Sequence, residues 1–215
     1  MEGKEYLMGL DLGFNQDFSV LSILERTLIW LPEENRRARK YTVTFIKRWP
    51  LQSGYPSIIR EVKAIMDNPK FLPNPELVVD IGGPGMPVYQ MMREYDLSPR
   101  GINITSGANA RQDENGFYLV PRREILSVLL LGLQSGLVGI DEMPLTQDLV
   151  RELEGLKLKL KERTGRESIE SGDHDDIALS VGIAYWYGAT FGSPTEMAMD
   201  QSGNETLSDY NPLGE

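Results

Sequence analysis

An α/β fold, with a central mixed sheet of five strands flanked by helices, is what the hydrophobic patterning of this chain predicts. Two β-type runs separated by a short turn open the sequence and a third follows them, the pattern of an antiparallel meander. A helical segment then leads into a short apolar run of the kind found in strands buried on both faces. A long apolar helix comes late, so helices are left to flank the sheet.

Tyr6–Leu12 and Phe18–Glu25 read as strands joined across the turn Gly13–Asp17. Thr27–Lys40 reads as a polar connection, and Tyr41–Trp49, rich in β-branched and aromatic residues, as a third strand. Ile58, Ile59, Val62, Ile65 and Met66 recur at helical spacing within Tyr55–Met66. The prolines between Asn68 and Pro75 break that helix, and Glu76–Ile81 follows as the buried strand. Gly82–Gly85 turns the chain into a helix reaching about Tyr95, and Gly101–Thr105 is a fifth strand. Ser106–Gly116 is polar and reads as a mobile loop. Pro121 suits a first helical turn, with Ile125, Leu126, Leu129, Leu130 and Leu133 continuing it. Leu145, Leu149, Leu153, Leu156 and Leu160 mark the core stripe of another helix, and a last one spans Asp173–Tyr187. Residues 1–192 are therefore expected to form one domain, and 193–215 an acidic, disordered tail.

The absence of cysteine removes thiolate metal sites and cysteine nucleophiles. The apolar runs Ile125–Leu133 and Ile177–Ala189 are too short or too interrupted to span a bilayer, and no signal peptide opens the chain, so a cytoplasmic protein without a membrane partner is expected. A net charge of −10 is unfavourable for binding nucleic acid, but Ser193–Glu215 carries five acids and no Lys or Arg, which places half of the excess in the tail.

Asp11 in Gly9-Leu-Asp-Leu-Gly13 and Asp80 in Leu77-Val-Val-Asp-Ile81 interrupt apolar strands, while Asp175 and Asp176 stand at a helix start before an apolar run. Isolated carboxylates are costly to bury, so acids entering a core from three separate segments suggest a shared cation. Taken alone, Asp175 and Asp176 would be ordinary partners of a helix dipole. Considered jointly with Asp11 and Asp80 they form a candidate divalent-metal site, bound by hard oxygen ligands.

The order of elements resembles the ribonuclease H-like fold, in which the first strand, the fourth strand and a late helix supply carboxylates. The match narrows further. Gly9-Leu-Asp-Leu-Gly13 with Asp17, Val79-Asp-Ile-Gly-Gly-Pro-Gly85, Val120-Pro-Arg-Arg-Glu-Ile125 and the run from His174 to Ala184 together resemble the nuclease domain of the large terminase subunit of tailed bacteriophages. That resemblance implies metal-dependent endonucleolytic cutting of concatemeric double-stranded viral DNA, with a packaging ATPase domain, a small terminase subunit and a portal as partners. The Gly-rich phosphate loop of the packaging ATPase does not occur in these residues, so the resemblance is to the nuclease part alone.

Such chemistry uses two Mg²⁺ or Mn²⁺ ions about 3.5–4 Å apart, one activating water and the other holding the leaving oxygen. Asp11 is expected to bridge them, Asp80 to complete one site, and Asp175 or Asp176 the other. Asp17 matches an auxiliary acid of the terminase pattern. His174 could orient water or contact a phosphate, or simply cap the helix. Arg36, Arg37, Arg39 and Lys40, and at a helix start Arg122 and Arg123, are candidate contacts to the DNA backbone. Two neighbouring readings share the ancestral sheet: a Holliday-junction resolvase-like nuclease, and an actin-like nucleotide-binding module, suggested by Asp11-Leu-Gly13 and Asp80-Ile-Gly-Gly83.

Overall fold

The computed structural model describes residues 4–13, 17–71, 75–83, 85–161, 166–170, 175–191, 198–199 and 205–206. In chain order the elements are β1 (Glu5–Asp11), β2 (Val20–Leu31), β3 (Arg36–Arg48), α1 (Tyr55–Met66), β4 (Glu76–Asp80), α2 (Gly85–Glu94), β5 (Arg100–Thr105), β6 (Arg111–Gln112), β7 (Tyr118–Pro121), α3 (Arg122–Gln134), β8 (Val138–Ile140), α4 (Thr146–Gly155), β9 (Lys157–Lys161), β10 (Arg166–Glu170), α5 (Asp176–Phe191), β11 (Ala198–Met199) and β12 (Glu205–Thr206). The central sheet is mixed and has eight strands in the order β6-β7-β5-β4-β1-β2-β3-β8. The five expected strands are its middle. The others, β6, β7 and β8, are two to four residues long, too short to leave a periodic pattern in the sequence.

β1 pairs antiparallel with β2 and parallel with β4, so it lies at the centre of the sheet. Its side chains alternate between two cores. Met8 and Leu10 pack with Val79, Ile58, Ile59, Val62 and Met92 beneath α1 and α2. Leu7 packs on the opposite face with Val78 of β4 and with Ile125, Leu129, Ile177 and Val181 of α3 and α5. Helix α5 is apolar on nearly every side because it is enclosed by the sheet, α3 and α4. Its close seat depends on small residues. A Cβ on Gly9 would lie 1.9 Å from the Ser180 carbonyl oxygen, and one on Gly188 would lie 2.5 Å from Leu7.

Three expectations need correction. Thr27–Lys40 is mostly strand: β2 continues through the β-branched and aromatic run to Leu31, and the turn occupies only residues 32–35, with Asn35 at a φ of 50°. The loop at Ser106–Gly116 is ordered by β6 and by Asp113, whose Oδ1 accepts the N–H groups of Asn115 and Phe117, both at 2.9 Å. The leucine stripe leaves helix after Gly155. Leu149 is buried and Leu145 and Leu153 pack against the core, but Leu160 belongs to β9, where Lys157-Leu-Lys-Leu-Lys161 alternates with strand period. The expected tail contributes only the β11–β12 pair to the described residues. Among the described residues, no helix is long and apolar enough to cross a membrane.

Candidate metal centre

Asp11 and Asp80 end neighbouring parallel strands. The ladder pairs Gly9 with Val78 and Leu10 with Val79, so its next step sets Asp11 beside Asp80. Both have the parity of Gly9 and Val78, the face covered by α5. Ser180 fixes the helix there, its hydroxyl donating to the Gly9 carbonyl at 2.9 Å. Going back four residues from Ser180, about 6 Å along the helix, reaches Asp176. Going forward two residues from Gly9, about 6.6 Å along the strand, reaches Asp11. Because helix and strand run in opposite directions, Asp176 comes to lie over the strand ends.

The electrostatics agree with that placement. Asp11 is buried, and its carboxyl is pushed well above the usual range by desolvation first, then by the charges of Asp80, Asp176 and Asp17. Arg122 opposes this rise without cancelling it. Asp80 is half-buried and is also raised by desolvation, partly offset by backbone N–H groups of Gly82 and Ile104. Asp17, exposed in the loop after β1, faces the cluster from its rim. The backbone around the site is held by three contacts: the Gly13 N–H donates to Ser19 Oγ at 3.1 Å, the Tyr55 hydroxyl donates to the Gly13 carbonyl at 3.0 Å, and the Gly82 N–H donates to Asp80 Oδ1 at 2.8 Å.

Asp175 and Asp176 point to different partners. The Asp175 carboxylate is ion-paired with Arg122, while Asp176 Oδ2 accepts the Phe18 N–H at 3.3 Å. Among the described residues, no three such side chains are drawn together tightly enough to enclose an ion. Asp80, Asp175 and Asp176 each take a local donor. The donor chemistry nevertheless suits a hard divalent cation, since oxygen ligands from three elements leave a repulsion that one guanidinium does not neutralise. A cleft of about 520 Å³ opens on the α2 side of the sheet, lined by Ile81, Gly85, Met86, Asn103, Asp113, Asn115 and Phe117.

Neither a protein-family profile nor a curated protein sequence matches the chain. Solved structures do. The large terminase nuclease of thermophilic phage G20c superimposes with a TM-score of 0.61 at 18% identity, over 86% of this chain and 83% of that one. The same nuclease with bound magnesium gives a TM-score of 0.61 at 19% identity, over 86% and 82%. The large terminase of bacteriophage HK97 gives 0.56 at 11% identity, over 85% of this chain and 39% of that larger one. This chain has the fold of the large terminase nuclease.

On this terminase-nuclease fold the expected site residues separate into groups. Asp11, Asp80, Asp175 and Asp176 gather at one end of the sheet, with Asp17 at the rim. His174 lies outside the described residues. Arg122 sits among the acids, which accounts for a cation at a helix start, whereas Arg123 donates to the Ala108 carbonyl at 2.8 Å. The run from Arg36 to Lys40 is elsewhere. Val20 pairs with both Asp11 and Arg48, so that run lies roughly 27–40 Å back along β3 at about 3.3 Å per residue. There the β2–β3 ribbon extends past the Glu5–Arg26 end of the β1 ladder, and Arg36 pairs with Glu34 at 2.6 Å.

One residue near the centre escapes the sequence reading. Glu152 of α4 accepts the Ala178 N–H at 2.8 Å, beside Asp176. Its signal is an acid three residues after Leu149 and next to Leu153, on the apolar stripe of its helix.

Proposed function

We propose that this chain is a divalent-metal-dependent DNA endonuclease of the terminase type, cutting concatemeric viral duplex DNA during genome packaging. The observation that carries the reading is the juxtaposition of Asp11 and Asp80 on adjacent strand ends beneath Asp176 of α5, in a fold shared with a magnesium-bound terminase nuclease. Two Mg²⁺ or Mn²⁺ ions would be held there, supplying an activated water and charge stabilisation for the departing 3′-oxygen. Asp11, buried at the end of the central strand β1, would be the shared ligand. Asp80 would serve one ion and Asp176 the other. Asp176 is favoured over Asp175 because the seating of Ser180 on Gly9 brings it over the strand ends, where its charge reaches Asp11, while the Asp175 carboxylate is turned to Arg122. Asp17 and His174 belong to the surrounding shell, orienting water at the rim.

Within that centre, Arg122 keeps Asp175 in place and limits the repulsion among the acids. The cleft on the α2 side offers Asn103 and Asn115 to a nucleotide near the cut. Arg123, with Arg36, Arg37, Arg39 and Lys40, contributes phosphate contacts that position the duplex. A domain of this charge depends on others to deliver DNA, so its partners are a packaging ATPase, a small terminase subunit and the portal, in the cytoplasm of the infected host.

The test is nicking and linearisation of supercoiled plasmid with Mg²⁺ or Mn²⁺, against EDTA and Asp80→Asn. Cutting is expected to need both the metal and Asp80. Undiminished cutting by folded Asp80→Asn protein overturns the assignment.

A further inference from the structure

The first turn of a helix exposes backbone N–H groups that the residue just before it ordinarily caps with its side chain. In α5 that place belongs to Asp175, whose carbonyl accepts the Leu179 N–H at 2.8 Å. Its carboxylate would ordinarily fold back onto the N–H of Ile177 or Ala178, but here it is drawn to Arg122. Asp176 is likewise occupied, by the Phe18 N–H at 3.3 Å. The capping is done by another helix. Glu152 Oε2 accepts the Ala178 N–H at 2.8 Å, and the Ile177 N–H lies against the same carboxylate.

That arrangement has a cost. Burial and the nearby charge of Asp176 both push the Glu152 carboxyl up. An apolar residue at this place on the α4 stripe would pack without either penalty, and Asp175 could then cap its own helix. What the foreign cap accomplishes is to let Asp175 pair with Arg122 while Asp176 stays over the strand ends. The support is rigid: α4 is tied to the end of β3 by Asp148, 3.5 Å from the Arg48 guanidinium, which also stacks 4.8 Å over the Phe18 ring. Phe18 in turn holds Asp176.

We infer that Glu152 is a positioning residue, which caps α5 from α4 and so holds the first turn of that helix, with Asp176, at the metal centre. The inference rests on the metal-centre reading above, but not on DNA cutting. It is tested on the full chain with Glu152→Ala, Glu152→Gln and Glu152→Asp. Hydrogen exchange at Ile177 and Ala178 is measured without metal, and Mn²⁺ affinity by titration calorimetry.

Glu152→Ala is expected to speed exchange at those amides and to weaken Mn²⁺ binding by about 10- to 100-fold, the usual effect of losing a group that orients a ligand. Glu152→Gln keeps an acceptor oxygen and is expected within about threefold of wild type. Glu152→Asp is a methylene short of Ala178 and should weaken binding about three- to tenfold, which keeps the test decisive if the alanine variant does not fold. Unchanged exchange, or unchanged Mn²⁺ affinity in a folded alanine or aspartate variant, overturns the positioning role. Wild-type protein that binds Mn²⁺ without cutting DNA, with Glu152→Ala binding it more weakly, supports the role while removing the nuclease reading. Wild-type protein that takes up no Mn²⁺ overturns both.

Discussion

Adding one methyl group at Gly9 should damage both stability and the centre, although Gly9 carries no chemistry. The new Cβ would stand 1.9 Å from the Ser180 carbonyl oxygen and 3.0 Å from the Ala184 Cβ. A carbon–oxygen contact settles at about 3.3 Å, so helix and strand must separate by about 1.4 Å. Neither partner is a flexible side-chain tip. Overpacking of a tight core costs about 1–3 kcal/mol, and the Ser180–Gly9 hydrogen bond, 2.9 Å long, is put at risk as well. Such a bond contributes about 0.5–1.5 kcal/mol net. Together these give about 2–4 kcal/mol, a fall in melting temperature of about 4–16 °C for a chain of this size. The same retreat moves Asp176 away from Asp11 and Asp80, and a misplacement of about 1 Å can lower a rate 10²-fold. Thermal melting of Gly9→Ala and its metal-dependent plasmid cutting, compared with wild type, provide the assay. A variant melting within about a degree of wild type, with full activity, refutes the close seating of α5 on β1.

The raised Asp11 carboxyl predicts a pH dependence with a definite sign. The folded protein binds the Asp11 proton more tightly than the unfolded chain does, so its contribution to stability falls as pH rises from the unfolded carboxylate value of about 3.9 through the raised folded value. In EDTA, the melting temperature of Asp11→Asn minus that of wild type should therefore grow from acid to pH 8, and Mg²⁺ should stabilise wild type more at pH 8 than at pH 5; a difference independent of pH contradicts this. At the other end of the sheet, replacing Arg36, Arg37, Arg39 and Lys40 together should weaken duplex binding without slowing the cutting of bound DNA. The slope of log affinity against log salt should drop by about 0.9 for each phosphate that is no longer neutralised, and an unchanged slope takes the β2–β3 ribbon off the DNA path.

Much of the centre was legible because buried charge is conspicuous in a sequence. Asp11 and Asp80 break apolar strand runs, and Asp175 and Asp176 precede an apolar helix, so each signals itself locally. The long strands and helices were legible for the same reason, since their burial writes a period of two or of 3.6 into the chain. Where an element is short, as β6 and β8 are, or extends a strand through a stretch with charged ends, as β2 and β3 do, the pattern is too brief or too diluted to read.

The sequence by itself determined the donors on offer: carboxylate oxygens, no thiolates, and acids on two strands and a late helix, all properties of residue type and local order. Only the tertiary structure decided which of those groups meet. The β1–β4 register sets Asp11 beside Asp80, the antiparallel seating of α5 on Gly9 brings Asp176 over them, and α3 supplies Arg122 as the ion-pair partner of Asp175. It also removed the Arg36–Lys40 run to the far end of the sheet and brought Glu152, 26 residues away in sequence from Ala178, onto the first turn of α5. Strand register and helix packing join residues distant along the chain, and no local pattern encodes which partners they will find.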